Sequence, residues 1–290
     1  MRIAGFQMDV KFADVSGNLD RMEQAMRSAV QPVTGAGAKL VIFPECSATG
    51  YCFTSIDECR QVAESMDGPI CQRMVDVCRE LDVYSVFGMI ESDGDRLFNV
   101  AVLAGPTGVV GSYRKVHLPY LGLDMFTTPG DEPFMVHEIE GVRIGLNICY
   151  DSAFPESSRM LALQGADLIV LPTNWPPGAE CLARTAIATR AMENGIYYAA
   201  INRVGEERGF RFIGRSSICA PNGDAMSEST GNAAEVLWAD IDPERSRNKH
   251  FVRVPGKHEI DRFADRRPEM YGAIVAPHQF RTPKQRACRD

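Results

Sequence analysis

The sequence contains no long apolar run. Although 45% of its 290 residues are hydrophobic, no stretch approaches the roughly 18 apolar residues that a helix needs to cross a bilayer. The first ten residues, MRIAGFQMDV, also lack the basic and then apolar pattern of a secretory signal peptide. We therefore expect a cytoplasmic protein with a sizeable core and no membrane partner.

Metal and cofactor motifs are absent as well. The nine cysteines include no Cys-x-x-Cys pair, and the five histidines are scattered without the spacing of metal ligands. The stretch Gly35-Ala36-Gly37 lacks the third glycine of a dinucleotide fingerprint, and neither a Walker loop nor Gly-x-Ser-x-Gly occurs. We expect reduced thiols, no metal and no organic cofactor.

The chain as a whole also lacks an excess of positive charge. Its net charge of −7 argues against a nucleic-acid-binding surface. Residues 243–290 differ, because 12 Lys and Arg stand against 6 Asp and Glu there, which makes this segment +6 and the preceding body −13. A basic arm on an acidic body predicts docking onto protein, either its own body or a neighbouring subunit.

The sequence is rich in short β-type runs that alternate with helical segments, the pattern of an α/β domain. The runs at 83–91 and 97–105, joined by a turn at Asp93-Gly94, predict an antiparallel hairpin that interrupts this alternation. A helix is predicted from Asn18, with apolar residues at helical spacing. The mixture fits two packed sheets with helices outside, in a single domain over 1–290 with 243–290 as a C-terminal arm.

Cys149 is a candidate nucleophile. It ends the alternating apolar run VRIGLNIC and precedes Pro155, which suits the first turn of a helix. A strand-to-helix turn of this kind exposes backbone N–H groups beside the side chain, as nucleophile sites require. Taken alone, a buried structural cysteine remains the more common alternative.

A thiol with an ordinary pKa of about 8.5 needs a base or a cation nearby to react well. Glu45 directly follows the buried run KLVIFP, so it is expected at the carboxyl end of a central strand, where α/β folds bind ligands. Lys115 closes another extended run, just before Pro119. Each could also be a solvated surface residue.

Together the three segments are far more specific. FPE at residue 45, RKVHLP at 115 and CYDSAFPE at 149 closely resemble the carbon–nitrogen hydrolase, or nitrilase, superfamily, whose hallmark is a Glu-Lys-Cys triad. The resemblance covers nearly the whole chain and extends to Asn99 and to the stretches LPTNW, RAMEN, NR and PNGD. It implies a four-layer α-β-β-α sandwich of two mixed sheets that assembles as a homodimer or a higher homo-oligomer.

The resemblance also implies catalytic roles. Glu45 would act as general base and acid, Cys149 would form a thioester, and Lys115 with the backbone N–H of Tyr150 would stabilise the oxyanion. His117 is a competing partner for the thiol, but its position after Lys115 favours a structural hydrogen bond.

One position departs from the family. Many members carry a second glutamate before a Pro-Gly in the loop after the lysine, whereas LPYLGLDMFTTPGD has only Asp124 before its Pro-Gly. In those members the glutamate supports the lysine and lines the pocket. We expect Asp124 to do the same with a shorter reach; the alternative is a rebuilt loop.

The residues around the nucleophile favour amides. Cys-Tyr-Asp stands where true nitrilases commonly have Cys-Trp-Glu, and Ser152 to Phe154 supply none of the arginines that bind carboxylate substrates in carbamoylases and ω-amidases. We expect an amidase that releases ammonia from a small carboxamide. An N-carbamoyl amine hydrolase, a nitrilase and an idle scaffold are the alternatives. The positions where family members line the pocket are Tyr51, Tyr150, Asn174 and Trp175, although Tyr51 and Trp175 could equally be core residues.

Overall fold

Two six-stranded mixed sheets form the centre of the protein, in a computed structural model that describes residues 1–31 and 35–287. The last three residues of the predicted arm lie outside the described residues. The strands are β1 (Arg2–Gln7), β2 (Leu40–Ile42), β3 (Tyr84–Asp93), β4 (Arg96–Gly105), β5 (Gly108–Arg114), β6 (Val136–Ile139), β7 (Val142–Leu146), β8 (Leu168–Thr173), β9 (Tyr197–Asn202), β10 (Glu206–Glu207), β11 (Phe210–Arg211), β12 (Ser217–Cys219), β13 (Ala225–Glu228), β14 (Glu235–Asp240), β15 (His250–Val254) and β16 (His258–Asp261).

The two sheets repeat one plan. The first has the order β14-β1-β2-β3-β4-β5 and the second the order β13-β12-β9-β8-β7-β6. In each, three neighbouring strands run parallel at the centre, β1-β2-β3 and β7-β8-β9, and antiparallel strands flank them. The predicted hairpin is β3 and β4, paired from Ser85↔Ala104 to Asp93↔Arg96. Strand ends that carry chemistry are thus brought together from two separate halves of the chain.

Several helices pack on the outer faces of the sheets, and the others lie in loops and in the C-terminal arm. The helices are α1 (Val15–Val30), α2 (Ile56–Arg60), α3 (Pro69–Leu81), α4 (Pro155–Leu163), α5 (Ile187–Asn194), α6 (Pro243–Arg247), α7 (Gly272–Val275) and α8 (Pro283–Ala287). Short 3₁₀ turns occur at Gly122–Met125, Cys149–Ala153 and Pro268–Met270, and a π turn at Leu182–Ala186 precedes α5. Within the described residues, no helix is long and apolar enough to span a membrane.

Alternating side chains of the first sheet divide the core into layers. Ile3 and Ile42 pack toward the second sheet, whereas their neighbours Ala4 and Val41 pack under α1 and α3. On the far side of the second sheet, α4 and α5 contribute apolar residues such as Ile187 to the same cluster. Each fully buried large apolar side chain stabilises the fold by about 1.5–3 kcal/mol, so the alternation specifies the α-β-β-α sandwich.

The first helix begins earlier than predicted. It starts at Val15, where the Asp14 side chain accepts a hydrogen bond from the N–H of Gly17. Asn18 therefore lies inside the first turn, and its amide donates to the carbonyl oxygens of Lys11 and Ala48. The prediction that the helix begins at Asn18 is wrong, because apolar spacing reports the buried face of a helix and not its cap.

The beginning of the C-terminal arm packs on the protein's own body. Arg247 pairs with the buried Asp167 at 2.8 Å, Lys249 Nζ donates to the carbonyl oxygen of Gly195 at 2.7 Å, and Arg262 donates to that of Met192 at 2.7 Å. From residue 268 to residue 287 the chain is exposed throughout.

Candidate active site

A buried ion cluster lies where β2 and β5 end. Lys115 immediately follows β5, and its Nζ lies 2.7 Å from Glu45 Oε1 and 2.6 Å from Asp124 Oδ2. All three side chains are shielded from solvent. Two carboxylates around one ammonium ion carry one negative charge too many for a dry site, so one carboxylate is well placed to hold a proton.

The aspartate reaches the lysine from a 3₁₀ turn. Within Gly122–Met125, the N–H of Leu123 donates to the carbonyl oxygen of Tyr51 at 2.9 Å, which anchors this turn over the end of β2. Tyr51 OH then donates to Asp124 Oδ2 at 2.7 Å. A short side chain at position 124 therefore reaches both Lys115 and Tyr51.

Asn99 connects the two carboxylates, and sequence reasoning did not assign it a role. Its Nδ2 donates to Glu45 Oε1 at 2.8 Å and to Asp124 Oδ1 at 3.0 Å. The signal was a single amide in the middle of the apolar run LFNVAVLAG, because a buried amide must find partners. Among the described residues, Glu45 Oε2 has no hydrogen-bond partner, so the fixed oxygen Oε1 leaves the other one available.

Burial and the charge of the ion-pair partners have opposite effects on the pKa values of Glu45 and Lys115. Burial raises the pKa of Glu45, Lys115 lowers it, and Asp124 raises it again, with a net increase. For Lys115, burial opposes the charged form, but Asp124 and Glu45 outweigh it and raise the pKa well above the usual range. The lysine therefore stays charged, while the raised pKa of Glu45 makes this carboxylate a better proton acceptor, as suits a base that must also return the proton.

Cys149 occupies a strained turn beyond β7. Its φ is 45°, in the left-handed region that non-glycine residues rarely adopt, and Ser152 Oγ donates to its carbonyl oxygen at 2.7 Å. Burial and Glu45 raise the pKa of its thiol, while Lys115, Thr173 and the backbone N–H of Asn174 lower it. The cysteine is thus a protonated thiol at rest and lies within the electrostatic reach of the Glu45 and Lys115 charges.

Asn174 and the turn around Cys149 complete the site. Asn174 directly follows β8, and its Nδ2 donates to the backbone carbonyl of Glu45 at 3.0 Å. A thiol, a carboxylate with a raised pKa and a buried ammonium ion are the groups that covalent hydrolysis of an acyl compound needs. Within residues 1–31 and 35–287, no three His, Cys, Asp or Glu side chains form a group able to hold a metal ion.

The family of the chain follows from its match to a known family model. The model described as carbon-nitrogen hydrolase matches residues 2–250. The chain belongs to this family. The family and the two-sheet α/β fold that the sequence predicted are thereby confirmed. So is the enzyme class, a hydrolase of carbon–nitrogen bonds other than peptide bonds.

Individual relatives cover nearly the whole hydrolase. It is 39% identical over 272 residues to a protein named nitrilase from Pyrococcus abyssi, a match that covers 93% of this chain and 99% of the relative. It is 33% identical over 255 residues to an (R)-stereoselective amidase from Pseudomonas sp., with 87% and 89% covered.

Solved amidase structures also match nearly the whole chain. An amidase from Nesterenkonia sp. superposes with a TM-score of 0.80 at 28% identity, over 95% of this chain and 96% of that chain. A mutant of the Nesterenkonia sp. AN1 amidase that carries acrylamide on its active-site cysteine gives a TM-score of 0.79 at 28% identity, over 95% and 100%. The hydrolase therefore shares its fold with an amidase that has a cysteine in its active site.

The three aromatic residues that were expected to line the pocket lie in different surroundings. Tyr51 is buried and touches the ion cluster through Asp124. Trp175 is 1% exposed and belongs to the same buried apolar cluster as Cys149, so its burial is compatible with both the pocket and the core alternatives. Tyr150 is 37% exposed, and its ring lies edge-on against Phe154. The structure thus brings Tyr51 and Asn174 into contact with the ion cluster, and it shows no polar contact from the side chains of Tyr150 or Trp175 to it.

His117 makes a structural contact. Its ring stacks on Phe154 at 3.8 Å, and its Nδ1 lies 2.7 Å from Asp151 Oδ1. A carboxylate can only accept, so Nδ1 carries the hydrogen. The ring is thereby held against the turn after the cysteine, by the type of hydrogen bond that its position predicted.

Proposed function

We propose that the protein hydrolyses a small carboxamide through a thioester on Cys149 and releases ammonia and a carboxylic acid. Hydrolysis of an amide C–N bond is the class of reaction that the family and its amidase relatives support. The observation that carries the proposal is the buried Glu45–Lys115–Asp124 cluster, whose charges act on the Cys149 thiol.

The first half of the reaction transfers the acyl group. Glu45 takes the Cys149 proton through its free Oε2, and the sulfur attacks the carbonyl carbon. Lys115 Nζ and the backbone N–H of Tyr150 stabilise the negative charge that develops on the oxygen. When the C–N bond breaks, Glu45 returns the proton to the departing nitrogen, so ammonia leaves and the acyl group stays on sulfur.

The second half releases the acid. Glu45 takes a proton from water, and the hydroxide oxygen attacks the thioester carbon. The carbon–sulfur bond then breaks, the carboxylic acid leaves, and the proton on Glu45 returns to the Cys149 sulfur. Asp124 keeps Lys115 charged throughout, and Asn99 keeps Glu45 Oε1 occupied so that Oε2 does the proton transfer.

The surroundings of Cys149 favour a substrate without a carboxylate near the scissile bond. Ser152 is buried, and its hydroxyl already donates a hydrogen bond to the Cys149 carbonyl oxygen. Neither Ala153 nor Phe154 carries a charge. Arg184 and Arg211, which could enter from other loops, are both exposed. A neutral or amine-bearing amide therefore fits better than a carbamoyl amino acid.

The test compares matched pairs of substrates. Aliphatic carboxamides of two to six carbons and the ureido compounds of equal length are incubated with the protein, and ammonia and carbon dioxide are measured together. We expect ammonia and acid from the carboxamides, without carbon dioxide. Equal release of carbon dioxide and ammonia from the ureido series alone would establish an N-carbamoyl amine hydrolase instead. Turnover of neither series would favour an idle scaffold.

One prediction concerns pH. Burial and Asp124 both raise the pKa of Glu45, so Asp124→Asn should move the acid limb of the kcat/KM profile to lower pH, because Glu45 without that neighbouring negative charge has a lower pKa and stays ionised at lower pH. We also expect kcat/KM to fall by about tenfold or more as Lys115 loses one of its two partners. Asp82→Asn removes an exposed carboxylate that pairs with Lys39 and should leave the limb in place. A limb that stays, or that moves to higher pH, would contradict the role given to Asp124.

We further propose that the protein is a homodimer or a higher homo-oligomer and that the outer part of the arm packs against a neighbouring subunit. Ile274, Val275 and Phe280 are 61%, 85% and 85% exposed. Ile274 and Val275 line a groove of about 850 Å³ together with the exposed Met160 and Leu163 of α4 and with Met192 of α5. Apolar surface of this extent marks an interaction site. The cytoplasmic location stays a prediction.

Deleting residues 268–290 tests the arm without touching Arg247, Lys249 or Arg262, which hold its first part to the body. We expect a lower molar mass in light scattering, and the full-length variant Val275→Asp should weaken the assembly in the same direction because it buries a charge in the contact. An unchanged molar mass in both would refute the proposed contact.

A further inference from the structure

A single buried carboxylate connects the two segments that carry Lys115 and Cys149. Asp151 is completely buried, and both of its oxygens are occupied. Oδ2 accepts from the N–H of Ile148 at 2.8 Å and from Tyr113 OH at 3.0 Å. Oδ1 accepts from His117 Nδ1 at 2.7 Å and from the His117 N–H at 3.4 Å.

These donors come from both sheets. Tyr113 belongs to β5 of the first sheet, and His117 follows β5 two residues after Lys115. Ile148 and Asp151 lie on either side of Cys149, beyond β7 of the second sheet. Tyr113 OH also accepts from the N–H of Val116 at 3.2 Å. The hydrogen bonds therefore hold the chain on both sides of Lys115 to the chain on both sides of Cys149.

Apolar packing between the sheets cannot fix this alignment by itself. The contacts of Ile3, Ile42 and their partners are non-directional, whereas an oxyanion donor must lie at a defined distance from the atom that the nucleophile attacks. Hydrogen bonds to a buried carboxylate are directional and about twice as strong as neutral ones. Desolvating a carboxylate is costly, and an apolar residue of the same size often supports a fold equally well, so stability alone gives no reason for Asp151.

We propose that Asp151 is a positioning residue that sets Lys115 and Cys149 in register across the two sheets, with Tyr113 and His117 as its donors from the lysine side. Burial and Asp151 raise the pKa of Tyr113, so its hydroxyl keeps its proton and donates. The inference rests on the proposed thioester chemistry, in which Lys115 and Cys149 act on one carbonyl group.

The test separates the alignment of Lys115 from the reactivity of Cys149. In Asp151→Asn, the rate of acylation by a carboxamide should fall by about 30- to 100-fold, the loss that a misplacement of about 1 Å causes, with KM within about threefold. The reaction of Cys149 with methyl methanethiosulfonate, in which the cysteine sulfur attacks the reagent's sulfur, methanesulfinate leaves and no oxyanion forms on carbon, should stay within about threefold of the wild type. Peptide mass after labelling identifies Cys149 among the other thiols.

Two comparisons keep the outcome decisive. Tyr113→Phe removes one donor and should lower acylation by about 3- to 10-fold, with no additional loss when it is combined with Asp151→Asn. Tyr197→Phe, a buried tyrosine of β9 whose hydroxyl only accepts from the Asp242 N–H at 3.4 Å, should leave both rates unchanged. A parallel loss of acylation and labelling in Asp151→Asn, or unchanged acylation, would overturn the positioning role. A wild type that forms no acyl adduct would overturn the proposed function itself.

Discussion

Replacing Cys149 by alanine should lower kcat/KM by about 10⁵-fold, because loss of a covalent nucleophile leaves only binding and electrostatic stabilisation of the transition state. Intact mass should also show the acyl adduct on the wild type and none on the variant. The reason is the position of the thiol, which lies at a strained φ of 45° and under the influence of Glu45 and Lys115.

A second cysteine provides the matched control. Cys219 in β12 is also buried, and burial raises the pKa of its thiol to about 11. Cys219→Ala should keep activity within about twofold, since its sulfur only packs in the core. If Cys149→Ala retained more than about a hundredth of the wild-type activity, the thioester route would be wrong.

Replacing Lys115 by methionine should damage activity and stability together. We expect kcat/KM to fall by about 10³-fold, since one oxyanion donor contributes about 10²–10³. The free energy of unfolding should fall by about 3–5 kcal/mol, because Glu45 and Asp124 then face each other in a dry site without the cation. Urea unfolding and steady-state kinetics on the same preparation measure both losses.

The two losses can be separated. In the double variant Lys115→Met/Asp124→Asn, one of the unpaired charges is removed, so most of the stability should return while the activity does not. Lys39→Met breaks an exposed pair with Asp82 instead and should cost no more than about 1 kcal/mol. Recovery of activity in the double variant would mean that Lys115 only balances charge and does not stabilise the reaction.

Several parts of the site could be predicted from the sequence for a physical reason. Glu45 and Cys149 each end a run of apolar residues, and the end of a buried strand is where a chain first reaches a crevice. Asp124 was predicted from the family resemblance, as the only acid in the loop where many members carry a second glutamate before the Pro-Gly. The family resemblance then joined three distant segments that spacing alone could not connect.

Other parts depend on contacts between residues far apart in the chain. Asn99 lies 54 residues from Glu45 along the chain, and Asp151 lies 38 residues from Tyr113. The sequence pattern marks both as polar residues within or beside apolar strands, but it does not say which donors they will meet. For the same reason the sequence left Trp175 compatible with both a pocket and the core, and in the structure it lies buried in the cluster that also contains Cys149.

By itself, then, the sequence determined the α/β class and the strand ends that carry Glu45, Lys115 and Cys149, because periodicity and strand boundaries are local properties of the chain. The shorter acid at position 124 was visible only against the family resemblance. Only the tertiary structure decided that Lys115 sits between two carboxylates, that Asn99 leaves Glu45 Oε2 free, and that Asp151 joins the two sheets at the cysteine turn. These arrangements form between separate segments of the chain, and the packing of those segments decides which partner a buried polar group finds.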